Sequence, residues 1–267
     1  MITRRRFLAT SAASAAGTLI LPSRLLRAAT THGIDNIGVQ LYTFRDAMMN
    51  DARGTLKVIA ELGFKDIESA GSEKGYYYGL TSVEMKQACE DLGMVLRSGH
   101  VSLDDNFERT MDDAAAAGQE YVICSSMPTW GQTVNNYRAT ADAFNAAGEQ
   151  CNSRGLKFGY HNHQYEFDEV DGQVLFDILM DNTQPELVYM QLDLGWVIVG
   201  GKDPLDYFER YTGRFPTWHL KDMDIAAMLA NREASGVKHI FVEQEEYAVG
   251  PVEAMAHNLE YLRELSN

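Results

Sequence analysis

Gly159-Tyr160-His161, Gln191-Leu192-Asp193, Thr217-Trp218-His219 and Phe241-Val242-Glu243 are four short hydrophobic runs, each closing on a residue able to ligate a metal. The steps from 161 to 193, 193 to 219 and 219 to 243 are 32, 26 and 24 residues, and a strand with its crossover helix takes roughly 30. Each candidate therefore ends the strand of its own βα unit. In a closed barrel of such units the strand ends converge on one face, where side chains from different strands meet. Two imidazoles and two carboxylates gathered there form a donor set for a divalent ion, so His161, Asp193, His219 and Glu243 are the expected metal ligands.

Working outward, hydrophobic periodicity gives eight strand-like runs: Ile37–Tyr42, Asp66–Ser69, Val95–His100, Tyr121–Ser125, Lys157–His161, Val188–Asp193, Thr217–Leu220 and His239–Glu243. Helix-like runs alternate with them: Thr55–Leu62, Val83–Leu92, Phe107–Ala117, Val134–Ser153, Val174–Met180, Leu205–Tyr211, Ala226–Ala234 and Val252–Leu265. Glycine follows several of these helices, at 63, 93, 118, 155 and 236, where a left-handed cap turns the chain into the next strand. Eight alternations predict an α/β fold with one (β/α)8 TIM barrel rather than an open doubly wound sheet. An open sheet would also need a phosphate-binding glycine loop after its first strand, and Val39-Gln40-Leu41-Tyr42-Thr43-Phe44 has none.

The chain has 267 residues, 45% of them hydrophobic and 23% charged, enough to bury a full core. Its formal net charge is −15, and no Lys/Arg cluster follows residue 30. Displacing counterions from phosphates needs a basic face, so nucleic acid is excluded as a partner. Cys89, Cys124 and Cys151 are widely spaced and form no C-x-x-C pair, which predicts buried structural thiols and no disulfide framework.

Thr3-Arg4-Arg5-Arg6-Phe7-Leu8 precedes an apolar, small-residue stretch from Ala9 to Leu21 and then Ala28-Ala29. Twin arginines followed by Phe-Leu resemble the bacterial twin-arginine signal, a receptor-read address for proteins exported already folded. Residues 1–29 are therefore expected to be an export signal, residues 30–267 the barrel, and the periplasm the destination. The apolar stretch falls short of the roughly 20 residues of a membrane span, so no stable membrane insertion is expected once the signal is removed.

Gly38-Val39-Gln40-Leu41-Tyr42-Thr43, Glu61-Leu62-Gly63-Phe64-Lys65-Asp66-Ile67-Glu68, Tyr160-His161-Asn162-His163, His219-Leu220-Lys221-Asp222 and Phe241-Val242-Glu243-Gln244 together resemble the xylose isomerase-like TIM barrels. These include sugar phosphate isomerases/epimerases and family-2 apurinic endonucleases, and the resemblance covers nearly all of the chain after residue 30. It implies a metal held by Glu, Asp, His and Glu from strands five to eight. Here those positions fall on His161, Asp193, His219 and Glu243, so the first departs in type. The paired glutamates of the family's sugar epimerases are thereby lost, which favours one-base isomerisation or β-elimination over two-base epimerisation. The endonuclease branch needs further histidines where Glu68 and Trp196 stand. The loop after the seventh strand, Asp222-Met223-Asp224, is also shorter than is common in the family.

The resemblance implies a small-molecule sugar substrate and roles for further residues. A divalent cation, expected to be Mn²⁺ with Zn²⁺, Co²⁺ or Fe²⁺ as alternatives, would polarise a substrate carbonyl and stabilise an enediolate. Glu243 or Glu245 would take the proton beside that carbonyl. Lys221 would donate to the oxyanion, its pKa lowered by the cation, or would simply pair with Asp222 at the surface. Glu68, His100, His163 and Glu166 are expected at the sugar or just behind it, and Tyr42 and Trp196, with Trp130 and Tyr165, as stacking or packing aromatics. The readings that remain are a sugar isomerase or epimerase, a lyase or hydratase acting on an oxidised sugar or glycoside, and a non-catalytic periplasmic carbohydrate-binding protein.

Overall fold

Alternation along eight short strands puts small, polar or ligand-bearing side chains on one face and large apolar ones on the other. The strands are β1 (Ile37–Gln40), β2 (Asp66–Ser69), β3 (Val95–Val101), β4 (Tyr121–Cys124), β5 (Lys157–His161), β6 (Val188–Asp193), β7 (Thr217–Leu220) and β8 (His239–Val242). The computed structural model describes residues 37–129, 131–221 and 225–265. The expected export signal, Trp130 and Asp222-Met223-Asp224 lie outside these residues.

Each strand pairs in parallel with the next, and β1 pairs with β8, so the sheet closes into the predicted (β/α)8 barrel. The crossover helices are α1 (Ala52–Leu62), α2 (Ser82–Glu90), α3 (Phe107–Ala116), α4 (Val134–Asn152), α5 (Leu175–Asn182), α6 (Pro204–Arg210), α7 (Ala226–Ala230, continued by Arg232–Ser235) and α8 (Pro251–Leu265). Outward-facing Phe158 and Tyr160 meet Phe144 of α4, and Trp218 stacks on Phe208 of α6 with ring centroids 5.0 Å apart. Each such buried side chain contributes about 1.5–3 kcal/mol. Inside the barrel Phe241 fills the layer below the mouth. A Cβ on Gly38 would come within 2.5 Å of the Phe241 ring, so only glycine admits that ring.

The caps follow the sequence. Gly63 and Gly236 are left-handed caps with φ of 104° and 78°, and Thr81 and Glu84 form a reciprocal capping box at α2. Three expectations need correction. The first strand stops at Gln40, because the Gln40 side chain accepts from the Tyr42 amide and starts a 3-10 turn over Leu41–Phe44. The Ala226–Ala234 run breaks at Asn231 into two short helices. The runs read from the sequence also left out Leu194–Val199, which forms a helix, and a hairpin of Glu169–Val170 with Gln173–Val174 after β5. No helix among the described residues is long and apolar enough to cross a membrane.

Candidate metal centre at the barrel mouth

His161 and Asp193 are the last residues of β5 and β6; His219 lies one before the end of β7, and Glu243 follows β8. Register places Asp193 beside His219 and Phe241 beside His219, so shear brings the four together. One ligand atom from each lies within 4.8 Å of the others, and all four residues are buried. His100 joins His161 and His219 in an adjoining group of the same kind, with ring centroids 4.8 and 5.1 Å away.

The donor set fits a divalent cation on its own chemistry. Asp193 Oδ1 caps the helix that begins at Leu194 by accepting from the Trp196 amide at 2.9 Å. Its Oδ2 is buried with no hydrogen-bond partner; the Lys221 ammonium approaches it to 3.3 Å. A buried carboxylate oxygen that accepts no hydrogen bond has lone pairs available to a divalent cation. Capping and candidate ligation are thus divided between the two oxygens of Asp193.

Electrostatics separate the four. Burial alone would raise the Glu243 carboxyl, but the hydrogen bond and charge of His219 and the Lys221 ammonium hold it down at about 2. Burial likewise disfavours the His219 imidazolium, yet Glu68 and Glu243 on its two sides raise it to about 10. His161 is pushed well below its usual value by burial and by the neighbouring His219 and His100. Asp193 is raised, because burial outweighs the attraction of Lys221 and His219. Lys221 is partly buried, which opposes its charge, but Asp193, Glu243 and Glu245 push its pKa up. Its ammonium lies 3.0 Å from Glu243 Oε2, 2.6 Å from Glu245 Oε1 and 4.8 Å from the centroid of the Trp196 ring.

The remaining predicted residues divide into mouth and support. Tyr42 is 41% exposed on the rim, with the Arg45 guanidinium over its ring. Trp196 faces Lys221 and His163, and its indole Nε1 is buried without a partner. His163 sits over His161 with ring centroids 5.1 Å apart, is stacked on Tyr165, and is lowered to about 4 chiefly by burial and by Lys221. Glu245 is half-exposed at the rim. Glu166 and Glu68 were expected at the sugar or just behind it, and both are fully buried with their oxygens already engaged. Glu166 accepts from the Tyr160 hydroxyl and from the His163 amide, so it braces the His163 loop from behind. Glu68 lies under His219, one layer deeper than the ligands.

Sequence reading missed Gln191, Gln40, Ser98 and Asn162. Gln191 links His161, His100 and Glu68, and Asn162 spans β5 and β6 through both the amide and carbonyl of Asp193. The signal for Gln191 was present: it stands two residues before Asp193, hence on the same inward face. The three cysteines are buried, and burial raises Cys89 to about 12 and Cys124 to about 11, leaving them no nucleophilic role.

No family model matches the chain. Over 91 residues it is 33% identical to an inosose dehydratase of Geobacillus kaustophilus, a match covering 34% of this chain and 29% of that protein. The chain spans about a third of the length of the curated relatives it matches. A sugar phosphate isomerase/epimerase from Parabacteroides distasonis superposes with a TM-score of 0.79 at 26% identity, covering 86% of this chain and 98% of that one. These neighbours share its barrel. The 3-keto-D-glucoside 4-epimerase of E. coli, at 14% identity and a TM-score of 0.68 over 86% of this chain and 99% of its own, shares the fold alone.

Proposed function

We propose that the protein is a metal-dependent sugar-modifying enzyme of the isomerase/epimerase type, which removes the proton next to the carbonyl of a keto- or aldo-sugar. The observation that carries this reading is the convergence of His161, Asp193, His219 and Glu243, with Asp193 Oδ2 buried among them, ion-paired to Lys221 but accepting no hydrogen bond. A divalent ion bound by these residues supplies Lewis-acid stabilisation of the developing enediolate; Mn²⁺ is the expected ion.

The protein's own groups supply the rest. Glu243 is held near a pKa of 2 and is tied to His219 and Lys221, so it is a weak base suited to ligation. Glu245 stands at the rim, half-exposed, and is the group placed to take the proton from a bound sugar. Its Oε1 touches the Lys221 ammonium, which gives the developing oxyanion a donor and the proton a route between the two side chains. Trp196, beside Lys221 and His163, and Tyr42, which flanks the opening, are the aromatic rings available to a sugar there. At the strand where a second glutamate would stand, the residue is the neutral His161. This favours chemistry with a single proton-transferring carboxylate.

The same first step, followed by loss of a hydroxyl as water, is a dehydration. The inosose dehydratase similarity favours that second reading. Incubation with keto-sugars in D₂O separates the two: exchange of the α-proton with the sugar intact supports isomerase or epimerase chemistry. Exchange coupled to loss of one water supports the lyase. Sugar binding with neither exchange nor turnover leaves a carbohydrate-binding protein and overturns the enzyme reading. The twin-arginine stretch supports a periplasmic setting for this chemistry as part of the same proposal.

A further inference from the structure

Glu68 is the most heavily engaged carboxylate at the centre. It lies on β2, fully buried, and collects donors from four other strands. Oε1 accepts from Gln40 Nε2 at 2.9 Å and His219 Nε2 at 2.5 Å; His100 Nε2 lies 3.2 Å from it but turns its hydrogen to Gln191 Oε1. Oε2 takes Ser98 Oγ at 2.5 Å and Gln191 Nε2 at 2.7 Å. A carboxylate accepts and does not donate, and its two oxygens offer about four lone-pair sites. These donors fill it. No oxygen is left for a substrate hydroxyl.

The consequence runs outward through the partners. Because Glu68 only accepts, the nitrogen that His219 turns toward it must carry a hydrogen. The other nitrogen, Nδ1, is the one that faces Glu243 Oε2 at 3.3 Å. Because the Gln191 amide must point its NH₂ group at Glu68, its oxygen points the opposite way. There Gln191 Oε1 meets His100 Nε2 at 2.7 Å and His161 Nδ1 at 3.2 Å. An amide oxygen also only accepts, so His161 must carry its hydrogen on Nδ1. Its Nε2 is then the lone-pair nitrogen on the side of Asp193 Oδ2, 3.9 Å away.

We infer that Glu68 is a positioning residue that, directly and through Gln191, dictates which ring nitrogen of His219 and of His161 faces the metal centre. This deepens the proposed function and rests on its reading of the two histidines as ligands. Histidine ligands are commonly held by a partner on the other ring nitrogen, and loss of such partners typically costs 10- to 100-fold in metal affinity. Here one buried anion serves two histidines on different strands. It reaches one of them through a side-chain amide whose orientation it fixes.

The test compares wild type, Glu68→Gln, and Glu68→Gln combined with Gln191→Glu. The isosteric amide can accept on one side only; with its NH₂ on the side of Ser98, whose hydroxyl can accept it, that NH₂ opposes the Gln191 NH₂, so Gln191 turns over and offers His161 a donor instead of an acceptor. The double variant moves the anion to position 191, where it again accepts from His161 Nδ1 while the amide now at position 68 donates to it. Two readouts are taken: calorimetric titration with Mn²⁺, and the ¹⁵N shifts of the His161 ring in the metal-free protein. The expected result is a wild-type His161 protonated at Nδ1. Mn²⁺ binding is expected to weaken about 10- to 100-fold in Glu68→Gln and to recover in part in the double variant. A wild-type His161 protonated at Nε2, or a folded Glu68→Gln that binds Mn²⁺ as tightly as wild type, overturns the inference. If Glu68→Gln does not fold, the wild-type tautomer decides alone. If wild type binds no Mn²⁺, it is the proposed function that fails, and the His161 tautomer still decides whether Glu68 positions the rings.

Discussion

Glu166→Gln isolates the cost of keeping a carboxyl behind the mouth. Burial pushes Glu166 from 4.5 up to about 7, even though the Tyr160 hydroxyl and the His163 amide both donate to it. The folded protein therefore holds this proton at pH values where the unfolded chain has released it. Between about 4.5 and 7 the native state binds more protons than the unfolded one, so stability is fully present below that window and is lost as the pH rises through it. At 1.36 kcal/mol per unit, a displacement of this size amounts to about 3 kcal/mol above the window. Glutamine keeps the shape and stays neutral, with its carbonyl placed to accept from the His163 amide and its NH₂ to donate to the Tyr160 oxygen. Urea unfolding of both proteins at about pH 5 and about pH 8 should show the variant gaining roughly 2–3 kcal/mol on wild type between the two conditions. Titrations elsewhere cancel in that difference. A gap between variant and wild type that stays constant with pH would refute the reasoning, because Glu166 would then not be carrying a proton in the folded state.

Other changes probe the centre and the scaffold. Glu245→Gln should retain the metal and lose α-proton exchange by about 100-fold or more, within the usual range for removing a general base. Glu243→Gln should lose both. Equal exchange in Glu245→Gln and wild type would return the base role to Glu243. A Cβ on Gly148, in the middle of α4, would lie 2.4 Å from the Leu187 carbonyl oxygen. Gly148→Ala should therefore destabilise by about 1–3 kcal/mol despite alanine's better helix propensity, and a rise in the urea midpoint would contradict it. Changing Arg4 and Arg5 together to lysine should keep the protein out of the periplasmic fraction; undiminished export would remove the twin-arginine reading.

Much of the barrel was legible because period-two alternation and glycine caps act locally. Asp66–Ser69, Lys157–His161, Val188–Asp193 and Thr217–Leu220 form strands with the bounds read from sequence. The first strand was read too long because its stop is a side-chain event, Gln40 accepting from the Tyr42 amide. The four ligand candidates were legible because each lies at a strand end or within one residue of it, and a closed barrel brings such ends together. Depth was not legible. Glu68 also comes near a strand end, yet barrel shear pairs it with Gln40 and Ser98 and sets it under His219, where it meets donors instead of a sugar. The surroundings of Lys221 were not legible either. Sequence puts Asp222 beside it, but the fold surrounds it with carboxylates from β6 and from the segment after β8.

The central claim is that four residues from four strands hold one divalent ion. Its most direct test is the metal content of the purified protein after dialysis against a weak chelator, measured for wild type, His161→Ala and Asp193→Ala side by side. The account predicts about one tightly held divalent ion per chain in wild type and its loss in both folded variants. Wild-type protein that retains no ion even after reconstitution, or variants that retain it undiminished, would contradict the account.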